Sequence, residues 1–171
     1  MEKSGALSSE TLKTRYCIIM FQGHSICNID AKSRIILPAK FRKDMNTKAE
    51  NKFYIMRGLE CCLWLFTKDV WDELTADILE VNNPFDKKMR RFKRELLYLN
   101  YDVEMDSQNR ILIPPELMQF ANLKKEADLI GLLNMIEIWA PEERQKYIDS
   151  EEESFENVAQ ELSERFKKKN A

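Results

Sequence analysis

Two stretches of the sequence place an arginine four residues after an aspartate and continue into three aliphatic residues and a proline. The first runs from Asp30 to Pro38 and reads DAKSRIILP. The second runs from Asp106 to Pro114 and reads DSQNRILIP, 76 positions further along the chain. An arginine can form two hydrogen bonds at once with guanine O6 and N7, and it also binds phosphate. The repeat therefore suggests two equivalent tips that contact nucleic acid.

A purely structural interpretation is also open. In it, Asp30 caps a turn and pairs with Arg34 across a hairpin, which would explain a single copy. Two copies in a pseudo-twofold unit would bring Arg34 and Arg110 close together on one face, although exposed ion pairs add little stability. We therefore predict that the arginines contact DNA. Asp30 and Asp106 are expected to shape the turns and orient the arginines, because phosphates repel a carboxylate.

The neighbours of each arginine are suited to contacts with phosphates or base edges. They are Lys32 and Ser33 in the first tip, and Gln108 and Asn109 in the second. Because Lys32 stands where copy two has Gln108, the first tip should supply more of the electrostatic attraction. Pro38 and Pro114 are predicted helix starters and complete the motif scaffold. Possible auxiliary phosphate contacts follow the first tip, at Lys40, Arg42 and Lys43.

Hydrophobic patterning predicts the same order of elements in both copies: two strands, a short helix and two further strands. In copy one the strands are His24–Ile29, Arg34–Leu37, Lys52–Met56 and Cys61–Phe66, and the helix is Ala39–Met45, which buries Phe41. In copy two the strands are Tyr101–Met105, Ile111–Ile113, Asp128–Leu132 and Met135–Trp139, and the helix is opened by Pro114 and Pro115 and runs to Phe120.

A helical connection is predicted between the copies, in two parts. The first helix has Thr67 as its N-cap and an apolar face of Val70, Trp71, Leu74, Ile78 and Leu79. The second has Asn83 as its cap and Pro84 at its first position. Its apolar stripe is predicted to join the core and comprises Phe85, Met89, Phe92, Leu96 and Leu99.

Six bases lie beside that stripe, and they are interpreted as a solvated helix face. Auxiliary phosphate contact and pairing with a neighbouring subunit's acidic surface are the alternatives. These bases are Lys87, Lys88, Arg90, Arg91, Lys93 and Arg94. After copy two, Pro141 should begin one further helix among many glutamates. Its apolar side is formed by Tyr147, Ile148, Phe155, Val158 and Leu162.

Composition excludes several classes of protein. The 171 residues carry a net charge of −2, and nine of the 29 acids follow Pro141, so a neutral body ends in an acidic tail. No apolar run is long enough to span a membrane. One histidine, His24, and the absence of any nucleophile or phosphate-loop motif predict that the chain is not an enzyme and holds no metal or other cofactor. His24 is expected on a strand surface. The cysteines are expected to be buried free thiols in a reducing cytosol, namely Cys17, Cys27, Cys61 and Cys62.

These motifs resemble the MraZ family. The resemblance rests on the tandem Asp-x-x-x-Arg repeat and on three further stretches, and it covers roughly Met20 to Tyr147. The stretches are Met20 to Gly23, Gly58 to Leu65 and Ile136 to Trp139, which read MFQG, GLECCLWL and IEIW. The chain departs from the family pattern in its leader before Met20 and in its variable acidic tail past Glu151.

The resemblance implies an α+β, mainly β fold: two tandem AbrB-type swapped-hairpin β-barrel halves in pseudo-twofold arrangement, with connecting and C-terminal helices. The corresponding regions are a disordered leader or sequence upstream of the start (1–20), a first repeat (21–68), a helical connection (69–99), a second repeat (100–140) and an acidic helix and tail (141–171). The motif arginines, here Arg34 and Arg110, are the family's DNA contacts.

The implied function is sequence-specific regulation of transcription. A ring-shaped homo-oligomer would bind repeated elements of double-stranded promoter DNA and repress the division and cell-wall gene cluster, including its own promoter. The location would be the cytoplasm, at the nucleoid, with neither a membrane partner nor a small-molecule substrate. Two rivals remain open. One is an AbrB-fold antitoxin whose mostly disordered acidic tail binds a toxin, and the other is a structural oligomer without affinity for nucleic acid.

Overall fold

The computed structural model describes residues 21–43, 45, 51–80 and 83–169. The predicted leader, with Cys17 and Met20, lies outside these residues. Eight strands are present in the described part of the chain, and each predicted strand lies within two residues of an observed one. They are β1 His24–Asn28, β2 Arg34–Ile36, β3 Lys52–Arg57, β4 Cys62–Thr67, β5 Asn100–Glu104, β6 Arg110–Leu112, β7 Glu126–Gly131 and β8 Ile136–Trp139.

The two copies exchange strands. β1 of copy one pairs antiparallel with β7 of copy two, and β3 pairs with β5. The short strands after the two aspartates, β2 and β6, pair with each other. The result is a six-stranded sheet in the order β1-β7-β8-β4-β3-β5 and a separate two-stranded ribbon. The mainly β prediction is confirmed, although the ladders among the described residues do not close into a barrel.

Alternation along the ribbon strands explains why they bury one face. Ile35 and Ile111 lie opposite each other at the centre of the β2–β6 ladder, and both are fully buried. The residues on either side of each isoleucine point the other way, as expected for the two-residue period of a strand. Leu37 and Ile113 follow and are also fully buried. The ribbon is therefore anchored to the core through its inner face.

The described residues form six helices: α1 Ala39–Lys43, α2 Lys68–Glu80, α3 Lys87–Tyr98, α4 Pro115–Phe120, α5 Pro141–Ser150 and α6 Phe155–Lys169. Phe41 of α1 is fully buried and packs edge-to-face on Phe21 with ring centroids 5.9 Å apart. The predicted extension of α1 to Met45 is wrong, since the helix ends at Lys43. No helix among the described residues has the length and hydropathy needed to cross a bilayer.

Of the two predicted N-caps of the helical connection, Thr67 directly precedes α2 as predicted but makes no capping hydrogen bond with the described residues, and Asn83 is wrong. Thr67 is the last residue of β4, and its buried hydroxyl has no hydrogen-bond partner among the described residues. Asn83 accepts a hydrogen bond from the Phe85 amide, which closes a turn rather than a helix. The cap of α3 is Asp86, whose Oδ1 accepts the amides of residues 88 and 89 at 2.8 and 3.2 Å. The positive end of the helix dipole also stabilises a carboxylate in this place.

The stripe predicted to join the core is only partly buried. Leu96 and Leu99 pack against the core, but Phe85 is 89% exposed and Phe92 is 51% exposed. On α2, Val70 and Trp71 are buried as predicted, while the side chain of Leu79 lies outside the description. Helical periodicity identified the apolar face of α3 correctly, but it could not show what covers that face.

The single helix predicted after Pro141 is also wrong, because the chain forms two helices there. Residues 151–154 separate α5 from α6, and the Ser154 hydroxyl accepts a hydrogen bond from the Asn157 amide at 3.3 Å. A serine at this position satisfies an amide of the first helical turn, so a new helix starts where the earlier one stops. His24, on β1, lies at the surface as predicted, and its Nδ1 is 3.1 Å from Oδ1 of the buried Asp128.

Candidate nucleic-acid interface

The first tip is a tight turn closed by Asp30. The Asp30 amide donates to the Arg34 carbonyl at 2.9 Å, so the chain reverses within four residues. One carboxylate oxygen, Oδ1, accepts the backbone amides of Lys32 and Arg34 at 2.8 and 3.0 Å. The other, Oδ2, accepts Nε of Arg34 at 2.8 Å and lies 2.6 Å from Nη2. One aspartate therefore shapes the turn and orients the arginine.

The second tip repeats this geometry. Oδ1 of Asp106 accepts the amides of Gln108 and Arg110 at 2.9 and 3.0 Å. Oδ2 accepts Nε of Arg110 at 2.8 Å and lies 2.8 Å from Nη2. The same residue spacing thus gives the same local structure twice, with one aspartate closing each turn and binding its arginine.

Each turn requires one residue in the left-handed backbone region. Ser33 has φ of 59° and its counterpart Asn109 has φ of 61°. Asparagine tolerates this conformation better than most residues because its side chain hydrogen-bonds locally, whereas serine has no such preference. The two tips therefore share a backbone path but differ in how well their residues suit it.

The ribbon joins the tips and sets the distance between their arginines. Arg34 lies opposite Leu112, and Ile36 lies opposite Arg110. Nη1 of Arg34 is 4.0 Å from Oδ2 of Asp106, the carboxylate that also binds Arg110. Both guanidinium groups therefore meet around one carboxylate, and the two predicted contacts lie together on the outer face.

Two residues of this face escaped the sequence analysis. Ile36 is 56% exposed and Leu112 is 47% exposed, and they alternate with the arginines on the outer side of the ribbon. Aliphatic residues in a strand are usually assigned to the core, so their type concealed them. The two-residue period of a strand was the available signal. It places Ile36 and Leu112 on the face of the ribbon that points away from the buried Ile35 and Ile111.

The ion pairs keep the carboxylates charged. The Arg34 guanidinium bonded to Asp30 lowers the pKa of that carboxyl from 3.8 to about 2. Arg110 lowers the pKa of Asp106 in the same way, helped by the backbone amides that point at it. Each guanidinium side chain remains 25% exposed. The arginines are therefore held in place without being removed from solvent.

The candidate auxiliary bases have different surroundings. Lys40 donates to the backbone carbonyl of His24 and lies 4.8 Å from the centre of the Phe41 ring. Arg42 is half-buried, and its Nε donates to the Leu37 carbonyl at 3.0 Å, which supports the chain leaving β2. Lys43 is exposed at the end of α1. The structure thus gives Arg42 a structural role, while Lys40 and Lys43 are both exposed.

Outside the tips, Glu60, Cys62 and Glu137 have side-chain atoms within 4.8 Å of one another, a spacing that could suit a metal ion. Glu137 already accepts hydrogen bonds from the indoles of Trp64 and Trp139 at 3.3 and 2.8 Å. Glu137 therefore has a structural role of its own in holding the two indoles. Burial raises the pKa of the Cys62 thiol strongly, which favours the protonated form while no cation is bound.

The three described cysteines are free thiols. Cys62 is buried as predicted, while Cys27 and Cys61 are partly exposed. Cys61 donates weakly to the carbonyl of Phe120 at 3.3 Å, which links the loop before β4 to the end of α4. Its position at a loop, rather than inside a strand, accounts for the remaining exposure.

Comparison with known families identifies the repeat. The family model for MraZ proteins matches residues 20–95 and again residues 96–166. The description of that family provisionally calls its members antitoxin-like. Each match contains one Asp-x-x-x-Arg turn and one strand of the β2–β6 ribbon. The two matches together cover most of the 171 residues.

Proposed function

Because the chain belongs to the MraZ family, we propose that it is a sequence-specific DNA-binding regulator of transcription that acts as a homo-oligomer. The observation that carries the proposal is the outer face of the β2–β6 ribbon, where Arg34 and Arg110 meet around Asp106. A two-stranded ribbon fits the major groove of B-DNA, where each base pair presents a distinct pattern of hydrogen-bonding groups.

The arginines keep donors available for DNA. A guanidinium has five N–H groups, and Asp30 engages those of Arg34 at Nε and Nη2. The Nη1 group is directed toward the second tip and stays beyond hydrogen-bond distance of Asp106, at 4.0 Å. Bidentate contact with a guanine is worth about 1–3 kcal/mol of discrimination. Ile36 and Leu112 beside them would contact thymine methyl groups or sugars.

The remaining tip residues assist. Lys32 and Gln108 are exposed, and Ser33 and Asn109 are half-buried at the left-handed positions. We assign them contacts with phosphates or base edges, with Lys43 and Lys40 as auxiliary phosphate contacts. Asp30 and Asp106 orient the arginines, and Pro38 and Pro114 direct the chain from the ribbon into the following helices.

The charge of the site favours an oligomer. Asp30, Lys32, Arg34, Asp106 and Arg110 sum to only +1, so one subunit would be attracted weakly to DNA. Several linked subunits on spaced promoter repeats raise avidity by roughly 10²–10⁴ without new contacts. A ring of subunits at the nucleoid, repressing the division and cell-wall genes and its own promoter, is the mechanism that the family resemblance suggests.

Replacing the arginines tests the proposal. Arg34→Ala and Arg110→Ala should each weaken binding to the DNA upstream of the protein's own gene by roughly 5- to 150-fold, because each removes contacts worth about 1–3 kcal/mol. Footprinting and gel shifts at several salt concentrations would measure this, with Lys168→Ala, which removes an exposed base of α6 outside the ribbon, as control. Unchanged affinity in the double variant, with the fold intact by circular dichroism, would refute DNA binding through this face.

An antitoxin is the second candidate, and the family description together with the exposed acidic residues of α6 favours it. In this interpretation the tail binds a toxin, and deletion from Glu151 onward should abolish that partnership while leaving the ribbon unchanged. The ordered helix at Phe155–Lys169 fits a disordered, partner-wrapping tail less well. Gene neighbours discriminate further: division and cell-wall genes support the regulator, and a small toxin gene supports the antitoxin.

A further inference from the structure

The last helix makes no packing contact that buries its side chains. Every described side chain of α6, from Phe155 to Lys168, is exposed. A helix of 15 residues is only marginally stable alone in water, and most helical stability in proteins comes from packing an apolar face. Helix α6 therefore needs a partner that the described residues of a single subunit do not supply.

The apolar face of α6 is continuous. Phe155, Val158, Leu162 and Phe166 recur at spacings of three, four and four residues, which places them on one side of a helix. Phe155 is 82% exposed. Large exposed apolar faces of this kind mark interaction surfaces in soluble proteins.

A second unpaired face lies at the start of α3. Phe85 and Phe92 are exposed, and Met89 between them is only half-buried. The later residues of the same stripe, Leu96 and Leu99, are packed on the core. The stripe thus begins outside the packed body and continues into it, so a docked helix at its exposed end would extend the existing core.

The two faces carry opposite charge. Residues 87–94 contain six bases and no acid, whereas residues 151–164 contain six acids and no base. The bases of α6 follow at its C-terminal end, at Arg165 and Lys167–Lys169, so the contrast with α3 holds for the part of the α6 stripe from Phe155 to Leu162. There the acids attract the bases beside the α3 stripe. This complementarity selects α3 as the partner of α6.

We propose that α6 of one subunit docks against residues 85–94 of a second copy of the chain, with the apolar stripes in contact and the acids beside the bases. The inference rests on the homo-oligomer proposed above and names its interface. The two docking surfaces differ, so every subunit offers one of each, and the contact is heterologous unless two subunits dock on each other reciprocally. A heterologous contact adds subunits head to tail and gives a ring when the rotation closes.

The test uses charge reversal in the full-length chain. Variant one carries Lys88→Glu and Arg91→Glu on α3, and variant two carries Glu156→Lys and Glu161→Lys on α6. Light scattering coupled to size-exclusion chromatography should find wild type well above the chain mass of 20.3 kDa and each variant near it. Mixing the two variants should restore the larger species, because each then offers the surface that the other lacks.

The mixing step excludes misfolding and docking within one chain, since neither can be repaired by a second protein. Glu73→Lys with Asp77→Lys, on exposed positions of α2, is the matched control and should keep the wild-type mass. A wild-type mass of one chain, variants that assemble normally, or a mixture that stays monomeric would each overturn the proposal. Arg34→Ala should leave the mass unchanged, so loss of DNA binding and loss of this interface are measured separately.

Discussion

At the scale of single residues, each motif aspartate serves the backbone with one oxygen and an arginine with the other. Oδ1 of Asp30 closes the turn, while Oδ2 binds the Arg34 side chain. An asparagine can keep the first role, because its carbonyl oxygen still accepts amides. It cannot keep the second, because it carries no charge to hold the guanidinium. Asp30→Asn therefore separates turn formation from arginine orientation.

This separation predicts a change in acid stability. Because Arg34 lowers the pKa of Asp30 from 3.8 to about 2, the unfolded chain binds more protons than the folded chain between these pH values. The contribution of Asp30 is complete above pH 3.8 and is lost as the pH falls to about 2. Thermal melts should show a flatter pH dependence in this window for Asp30→Asn than for wild type. Parallel curves would contradict the assignment.

The difference between Lys32 and Gln108 predicts a change in salt dependence. Each phosphate neutralised by a base contributes about 0.9 to the slope of log affinity against log salt. Lys32→Gln should therefore reduce the steepness of that slope by about 0.9 for each occupied tip, and Gln108→Lys should increase it. The exchange of both residues should restore the wild-type slope, and a slope indifferent to all three would exclude phosphate contact at this position.

At the scale of elements, local signals predicted strands better than helix ends. The Asp-x-x-x-Arg turn and the aliphatic run after it lie within nine residues, so the sequence contains everything that β2 and β6 need to start. The cap of α3 was missed because Asn83 and Asp86 are both good caps, and the choice depends on where the chain leaves the preceding helix. The exposure of Phe85 was missed because helical periodicity shows which side of a helix is apolar but not whether another element packs against that side.

Gly131, at the end of β7, tests a close contact between elements. Its amide donates to the Gly23 carbonyl at 2.8 Å, and an added Cβ would lie 2.5 Å from the carbonyl carbon of Phe21. Backbone cannot yield as a flexible side chain would, so Gly131→Ala should destabilise the fold by about 1–3 kcal/mol. Urea unfolding measures this, with the exposed Gln22→Ala as control. Equal stabilities would show that the segment before β1 shifts freely.

At the scale of the whole molecule, the strand exchange makes the copies dependent on each other. β1, β2 and β3 find partners in β7, β6 and β5 respectively. These partners lie far away in sequence, so no local pattern could predict the pairing, and it was expected only from the family resemblance. The aliphatic periodicity showed which faces are buried but not against which strand.

Interdependence predicts the behaviour of the separated halves. Residues 21–95 and 96–169, expressed apart, should each be unfolded or form a self-paired dimer, because a lone copy exposes the strand edges that the other copy covers. Mixing them should give a 1:1 complex with the circular dichroism spectrum of the intact chain. A folded monomer of either half would contradict the observed pairing.

Fusing the copies in one chain also gives the ribbon a direction. A ribbon built from two identical chains would present the same surface after a half-turn about its twofold axis. Such a ribbon cannot distinguish a DNA site from the reverse complement of that site. Here Lys32 and Lys40 on one side correspond to Gln108 and Glu116 on the other, so the half-turn exchanges unlike residues. A subunit bound through this ribbon would therefore have a front and a back, and subunits on direct repeats would all point the same way along the DNA.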